Sequence, residues 1–271
     1  MSKRIELLRL DYLFSVLIPL FVAIYLNQLN IFEHFDIILG FAFLAITGNT
    51  WNDVIDMKNP EEVETLKRVE GYHPREIFTI GLASLFFGVT LLLRTCITHF
   101  PINAILLFII IVMVLLYCLW IKPIPILNQL FLAISHIILP YFMIKIDANI
   151  YSVGIGEFSF LIAFFTFAVL GQLVHEVIDN DAIRKHLSLR QCQIVIWIFS
   201  ILTLILGIIA FILLLEWYFI PFLFVPFGTM FTFRRPTTST QGVKDVGILI
   251  GNFLLIYFIC LIILQMNGLI L

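Results

Sequence analysis

The sequence predicts an all-α, polytopic membrane protein with nine transmembrane helices, and three observations carry this prediction. Hydrophobic residues make up 61% of the 271 residues, charged residues make up 13%, and the mean hydropathy is +1.07. Soluble domains are usually close to half apolar and a quarter charged. The apolar residues also gather in long runs, and most Lys and Arg residues fall on one side of those runs. Together these features exclude a soluble globular protein.

The nine predicted spans follow from the length of the apolar runs. A hydrocarbon core of about 30 Å needs roughly 20 apolar residues per helix. By that criterion the spans are 12–30, 36–52, 77–94, 102–120, 126–145, 158–176, 193–214, 217–233 and 246–266. In the polar loop after the second span, Asn59 and Pro60 predict the start of a short helix that ends at Gly71. We expect residues 1–271 to form a single transmembrane domain.

The distribution of basic residues predicts the orientation. With nine spans, 14 of the 16 Lys and Arg residues lie on the side that holds the N-terminus. They are Lys3, Arg4, Arg9, Lys58, Lys67, Arg68, Arg75, Lys122, Arg184, Lys185, Arg190, Arg234, Arg235 and Lys244. Only Arg94 and Lys145 lie on the other side. The positive-inside rule therefore places the N-terminus at the cytoplasmic face.

Two polar stripes end apolar runs on that same side. The first consists of Asn49, Asn52, Asp53 and Asp56, and the second of Gln172, His175, Glu176 and Asp179. In both, the spacing i, i+3, i+4, i+7 puts the four side chains on one face of a helix. The second stripe repeats the first at a constant offset of 123 residues. We therefore expect both acidic motifs at the cytoplasmic face.

Each stripe carries two carboxylates three residues apart near the end of a helix. Such carboxylates repel each other, and the helix dipole disfavours anions at this end. A divalent cation relieves both effects, and a hard ion such as Mg²⁺ suits oxygen ligands. The acids and amides of the two stripes are therefore candidates for holding one or two Mg²⁺ ions.

Basic residues in the neighbouring loops indicate an anionic ligand. The candidates for its binding are Lys67, Arg68, Lys122, Arg184 and Lys185. Mg²⁺ commonly binds through a few carboxylates and the phosphates of a substrate, so a metal-bound diphosphate fits this set. Within the fifth span, Asn128 and Gln129 should face the bundle, where they either line an acceptor pocket or bond to another helix.

The stripes are also compatible with roles other than metal binding. A solvated helix end accounts for a single stripe, but two copies in one register with basic loops favour a functional site. A cation-coupled membrane transporter is a rival, because acids at helix ends can form a cation pathway. Against it, the acids cluster at one membrane edge and no span carries a carboxylate near its middle.

At these motifs the chain resembles the UbiA-type membrane prenyltransferases. Residues 52–56 read N-D-V-I-D and match the first five positions of that family's N-D-x-x-D-x-x-x-D motif. The last Asp of the motif is replaced by Pro60, with Glu61 and Glu62 beside it. Residues 175–179 are similar to the family's second acidic motif. There the next expected acid is replaced by Ile183, and Asp181 is the nearest carboxylate.

The resemblance implies a nine-helix bundle whose active site opens to the cytoplasm. It implies that Mg²⁺ holds a prenyl diphosphate, whose prenyl group alkylates a lipophilic acceptor, often an aromatic quinone precursor. The implied metal ligands are Asn52, Asp53, Asp56, Glu176 and Asp179, and the implied catalytic residues are Asp53, Asp56 and Asp179. A sugar phosphate, another lipid or a carotenoid are further possible acceptors, and we expect no nucleic-acid partner. The replaced acids also leave open a degenerate member that binds isoprenoids without turnover.

Overall fold

The structure is a computed structural model, and it describes residues 3–60, 62–180, 182–235 and 241–270. The regular elements over these residues are helical. The α-helices are α1 (Lys3–Glu6), α2 (Phe14–Leu26), α3 (Phe35–Asp56), α4 (Val63–Arg68), α5 (Pro74–Thr98), α6 (Ile102–Leu116), α7 (Leu127–Ala133), α8 (Leu139–Asp147), α9 (Ile155–Asp179), α10 (Ala182–His186), α11 (Leu189–Leu214), α12 (Ile220–Thr232) and α13 (Gln241–Met266). Short 3₁₀ turns cover Leu10–Tyr12, Ile31–His34 and Trp217–Phe219, and π-helical turns cover Tyr117–Ile121 and Ile134–Ile138.

Seven helical segments over the described residues are long and apolar enough to cross a membrane. They are Ile31–Asp56, Pro74–Thr98, Ile102–Ile121, Leu127–Asp147, Ile155–Asp179, Leu189–Leu214 and Asp245–Met266. Two shorter apolar helices, Leu10–Leu26 and Trp217–Thr232, fall at the first and eighth predicted spans. The all-helical membrane fold is therefore confirmed, whereas the count of nine is approximate. Each of the two shorter helices opens with a 3₁₀ turn, which leaves an α-helix of only 13 residues.

The loop helix after α3 is shorter than the sequence predicts. α4 begins at Val63, not at Pro60, and its N-cap Glu62 makes no side-chain cap. The Asn59 amide donates to the Asp56 carbonyl oxygen, and the Glu62 amide donates to the Asn59 carbonyl oxygen. A residue before proline disfavours the helical conformation, so the chain makes two tight turns before the helix starts. Glu61 lies outside the described residues. α4 ends at Arg68 with Val69 as its C-cap, so the helix does not end at Gly71 as predicted, and Gly71 adopts φ +87° in the turn that follows.

The chain divides into two compact units. Unit 1 comprises Met1–Leu119, Leu139–Ile150 and Ile250–Leu271, and unit 2 comprises Trp120–Ile138 and Tyr151–Leu249. The first polar stripe belongs to unit 1 and the second to unit 2. The expectation of a single domain and the orientation in the membrane stay predictions.

In unit 1 the end of α3 is fixed by close packing against α5. A Cβ atom on Gly88 would lie 2.9 Å from the Gly40 carbonyl oxygen, so the two backbones approach closely only because both residues are glycine. Further along, the Trp51 ring stacks on Phe78 with 5.5 Å between ring centroids. This contact holds the last turns of α3, which carry the first stripe, against the first turn of α5.

A polar network centred on the buried Asp147 joins the opposite ends of these helices within unit 1. Arg94 donates to both Asp36 oxygens, at 2.6 and 2.9 Å, and to Asp147 Oδ2 at 3.1 Å. His34 Nδ1 lies 2.7 Å from the same Asp147 oxygen, and the Asp147 side chain is only 2% exposed. Because α3 rises about 1.5 Å per residue, Asp36 of this network lies roughly 20–30 Å along the helix from the first stripe. It links α3, α5 and α8.

We expect Asp147→Ala to destabilise the protein by about 3 kcal/mol, because it removes the buried carboxylate that His34 and the half-exposed Arg94 share. Asp36→Ala is the matched control, since its side chain is 23% exposed and water can replace part of its contact with Arg94. Thermal unfolding in detergent, followed by tryptophan fluorescence, should show the larger loss for Asp147→Ala. Equal losses in the two variants would show that burial does not set the strength of this network.

In unit 2 the second stripe lies at the end of α9, which packs along α11. Their shared core is apolar and includes Val169, Leu173 and Val177 of α9 with Cys192 and Ile196 of α11. α11 begins with a capping box at Ser188, which fixes its first turn beside the loop that follows the stripe. The end of α9 is thus held by buried apolar contacts.

Candidate functional site

The first stripe occupies the last two turns of α3 in unit 1. Asp53 is fully buried and Asp56 is 6% exposed, whereas Asn49 and Asn52 are partly exposed. The helix ends at Asp56, where the Met57 amide still donates to the Asp53 carbonyl oxygen. The spacing in the sequence is therefore realised as a helix face, and both of its carboxylates are withdrawn from solvent.

Asp53 is hydrogen-bonded to Arg68, one of the residues predicted to bind the diphosphate. Arg68 Nη2 donates to Asp53 Oδ1 at 2.6 Å, and Arg68 Nε donates to Oδ2 at 3.1 Å. Burial opposes the charge on the guanidinium, but the hydrogen bonds and the charge of Asp53 outweigh it, so the pKa of Arg68 lies above its ordinary value. Short α4 delivers Arg68 to this position, and Thr65 Oγ1 accepts a further bond from it at 3.2 Å. Asp53 therefore fixes where a permanent positive charge lies.

Arg9 is a second cation at Asp53, and no motif in the sequence marks it. Its Nη1 atom lies 4.0 Å from Asp53 Oδ1, and its side chain is 16% exposed. The only sequence signal is that Arg9 is the last basic residue before the first apolar run, and that signal is weak.

Asn52 and Asp56 form the other half of the stripe. Asn52 Nδ2 donates to Asp56 Oδ2 at 2.7 Å. The Asn52 Oδ1 atom is buried and has no hydrogen-bond partner in the part of the chain that the structure describes. A buried acceptor without a partner costs about 1–3 kcal/mol, so binding of a cation or donor at this atom is favourable. Amide and carboxylate oxygens are ligands that Mg²⁺ accepts.

Glu176 is the buried acid of the second stripe, in unit 2. Gln129 Nε2 donates to its Oε1 atom at 2.7 Å, and the Ile183 amide donates to its Oε2 atom at 3.0 Å. Ile183, the position at which the resemblance implies an acid, therefore contacts Glu176 through its backbone amide. The Gln129 Oε1 atom is buried and lacks a partner over the described residues. The sequence predicted that Gln129 faces the bundle, but it could not identify Glu176 as its partner.

Asp179 is the outer acid of the second stripe. His175 Nδ1 lies 2.9 Å from Asp179 Oδ2, and the Asp179 side chain is 26% exposed. Asn180 then ends α9 in the left-handed conformation at φ 58°. Asp181 lies outside the described residues. Asp179 is therefore the more accessible of the two acids in this stripe.

The other residues predicted to bind the diphosphate differ in their exposure and in their hydrogen bonds. Lys67, on α4 of unit 1, and Lys185, on α10 of unit 2, are exposed. Arg184 is partly buried and donates to the Leu187 carbonyl oxygen at 2.7 Å, which closes the turn after α10. Lys122 is partly exposed, and its carbonyl oxygen accepts from Asn128 Nδ2 at 2.8 Å.

The described residues contain no group of three or more His, Cys, Asp and Glu side chains placed to hold a metal ion. The predicted metal ligands are instead divided, with Asn52, Asp53 and Asp56 in unit 1 and Glu176 and Asp179 in unit 2. The oxygen chemistry of both stripes fits Mg²⁺, and the unpartnered Asn52 Oδ1 atom fits it most directly. The direct metal ligation by each of the five residues stays a prediction.

Comparison with known proteins gives a family model and several solved structures. A model of the UbiA prenyltransferase family matches residues 16–244. No curated protein matches the chain.

The solved structures that resemble the chain come from a UbiA homolog of Archaeoglobus fulgidus. The form bound to GPP and Mg²⁺ has a TM-score of 0.73 at 16% identity. The form bound to DMAPP and Mg²⁺ has a TM-score of 0.67 at 16% identity, and the form bound to Cd²⁺ has 0.68 at 18%. Each comparison covers 96% of this chain and 99% of the homolog. At these identities the likeness establishes the fold.

Proposed function

Because the chain belongs to the UbiA prenyltransferase family, we propose that it is an Mg²⁺-dependent intramembrane prenyltransferase. It moves a polyprenyl group from a prenyl diphosphate to a lipophilic acceptor. The observation that carries the proposal is an amide–carboxylate pair at each polar stripe, formed within the first stripe and between Gln129 of α7 and the second. Asn52 donates to Asp56 and Gln129 donates to Glu176, and each amide oxygen is left without a partner among the described residues.

The two halves of the first stripe have different tasks in this proposal. Asn52 and Asp56 offer oxygen atoms to Mg²⁺, and Asp53 holds Arg68 in place for the donor diphosphate. In unit 2, Glu176 and Asp179 offer the corresponding carboxylates. When bound, Mg²⁺ neutralises charge on the diphosphate and so favours its departure. The protein supplies charges fixed by hydrogen bonds, such as Arg68 on Asp53, which stabilise a leaving anion.

The cations bind the part of the diphosphate that the metal leaves exposed. Arg68 presents a planar guanidinium suited to phosphate oxygens, and its charge persists at any physiological pH. Lys67, Lys122, Arg184 and Lys185 are the further candidates for binding the diphosphate.

The acceptor is an aromatic, quinone-precursor-like lipid in this proposal. The protein is an integral membrane protein, and we place its N-terminus and acidic motifs at the cytoplasmic face because of the distribution of Lys and Arg.

A second candidate function is isoprenoid binding without turnover. The observation that favours it is that two of the acids are already engaged by protein donors. Asp53 accepts two bonds from Arg68, and Glu176 accepts from Gln129 and from the Ile183 amide. Pro60 and Ile183 also stand where the family motifs carry acids.

A donor-turnover assay distinguishes these functions. The purified protein in nanodiscs is incubated with geranyl, farnesyl and longer prenyl diphosphates and a panel of aromatic and lipid acceptors, with Mg²⁺ or EDTA. We expect Mg²⁺-dependent diphosphate release and a prenylated product by mass spectrometry, both lost in Asp179→Ala. Binding of the donor with Mg²⁺ but without release would support the binder. Neither binding nor release by folded protein would overturn both and favour the cation transporter.

A further inference from the structure

The fifth predicted span is not one continuous α-helix. α7 ends at Ala133, a π-helical turn covers Ile134–Ile138, and α8 begins at Leu139. Pro140 accounts for part of this break, because it has no backbone N–H to donate to the carbonyl oxygen of His136, four residues earlier. Single π-helical turns inside α-helices are found frequently at functional sites.

His136 lies within this turn and is the ionisable residue of the span nearest its middle. Its imidazole makes no hydrogen bond or ion pair with any residue that the structure describes. The residue lies deep in the protein, away from bulk water, yet neighbouring atoms do not bury it completely. Neither ring nitrogen is among the fully enclosed polar atoms that lack a partner. Open space inside the protein therefore borders the ring.

Within unit 2 this stretch of the chain packs against α9 through apolar side chains. Ala133, three residues before His136, shares a buried core with Val169 and Leu173 of α9. A polar group in such surroundings is costly without a hydrogen bond, and buried polar groups are usually paired. A neutral imidazole has one nitrogen that donates and one that accepts. His136 is therefore placed to bind a ligand that carries a hydroxyl group.

Gln129 gives the distance between His136 and the second stripe. Its Nε2 atom donates to Glu176 Oε1 at 2.7 Å, so Gln129 marks the level of this stripe on α7. His136 is seven residues further into the span, which is roughly 10 Å along the helix axis. A donor whose diphosphate is bound at the stripe extends its prenyl group away from this edge and into the span. His136 thus lies beyond the diphosphate, on the side where the acceptor meets the prenyl group.

We propose that His136 binds the ring hydroxyl of the acceptor and so selects hydroxylated aromatic acceptors. The accepting nitrogen of the imidazole receives the hydrogen bond that the hydroxyl donates. This bond fixes which part of the ring faces the prenyl group, while the apolar surroundings tolerate the rest of a lipophilic molecule. His136 is a substrate-binding residue in this scheme. The inference rests on the proposed function for the reaction, and it adds a residue that recognises the acceptor.

Binding of a phenol and its methyl ether to the purified full chain in nanodiscs tests this contact. The probes are 2-naphthol and 2-methoxynaphthalene, followed by their fluorescence and corrected with empty nanodiscs. The proteins are wild type, His136→Phe, His136→Gln and the control Ser135→Ala. Ser135 lies in the same turn, but its hydroxyl already donates to the Leu132 carbonyl oxygen at 3.3 Å. Melting temperature and the binding of geranyl diphosphate with Mg²⁺ are measured for all four proteins.

We expect wild type to bind the phenol about 10-fold more tightly than the ether, which is the effect of one hydrogen bond. His136→Phe keeps a ring without nitrogen atoms, so it should bind both probes with the weaker affinity. Glutamine also offers a donor and an acceptor, so His136→Gln should keep part of the preference. Ser135→Ala should match wild type, and donor binding should be the same in all four proteins.

Three results would overturn the inference. One is a preference for the phenol that persists in folded His136→Phe, or, if that variant does not fold, the full wild-type preference in His136→Gln. Another is a wild type that binds the donor but does not prefer the phenol to the ether. The third is an equal loss of preference in Ser135→Ala, which shows a general disturbance of the turn. A wild type that does not bind geranyl diphosphate instead overturns the proposed function, and with it the role of the hydroxyl compound as an acceptor.

Discussion

Asp56→Ala is expected to lower the rate of prenyl transfer by about 10²- to 10³-fold, the usual cost of removing one electrostatic stabiliser of a transition state. Asp56 offers a carboxylate next to the unpartnered Asn52 Oδ1 atom, so its loss removes the charged member of that oxygen pair. The Mg²⁺ concentration for half-maximal activity should rise as well. Product formation from geranyl diphosphate over an Mg²⁺ titration measures both effects.

The control for this prediction is Glu33→Ala, which removes an exposed acid from the 3₁₀ turn before α3, at the far end of that helix from the stripe. We expect its activity and Mg²⁺ dependence to equal those of wild type. Asp56 would not be a metal-site residue if its variant kept the wild-type Mg²⁺ dependence while the rate fell. Loss of folding is checked separately by the melting temperature in nanodiscs.

Asp53→Asn is expected to reduce stability by about 3 kcal/mol and to reduce donor binding together with it. The substitution keeps the shape of the side chain but leaves Arg68, and Arg9 beside it, without the buried negative charge that they share. Arg68 then loses its fixed position, so the affinity for geranyl diphosphate should fall. Thermal unfolding and isothermal titration with the donor measure the two effects.

The double variant Asp53→Asn with Arg68→Gln separates the structural part of this effect from the functional part. Removing the stranded charge should restore much of the lost stability, while donor affinity stays low because the guanidinium is absent. Recovery of both stability and affinity would show that Arg68 does not bind the donor. Recovery of neither would show that Asp53 stabilises the fold through contacts other than Arg68.

Much of the fold and the position of the motifs could be predicted from the sequence. Long apolar runs require helices in a membrane, because backbone polar groups have no water there to bond with. The i, i+3, i+4, i+7 spacing put Asn52, Asp53 and Asp56 on one helix face, and the structure confirms that α3 extends through Asp56. These features depend only on residues near one another in the chain.

The sequence was a poorer predictor of structure where turns, or contacts between residues distant in the chain, determine the local conformation. Asn59 and Pro60 have the residue types of a helix start, but two hydrogen-bonded turns use this segment, and α4 begins at Val63. Gln129 and Glu176 are 47 residues apart, and only packing of α7 against α9 brings them to 2.7 Å. No local pattern marks such a pair, because its geometry depends on how two helices pack.

The sequence by itself therefore determined that the protein is an all-helical membrane protein. It also determined that an acidic stripe ends each of two apolar runs. The tertiary structure decided which polar atoms in and beside those stripes have a hydrogen-bond partner. Asp53 is bound to Arg68 and approached by Arg9, whereas Asn52 Oδ1 and Gln129 Oε1 have no partner among the described residues. Periodicity follows from the backbone geometry of a single helix. The pairing of a buried charge depends on side chains that reach it from other elements, and those only the packed fold brings together.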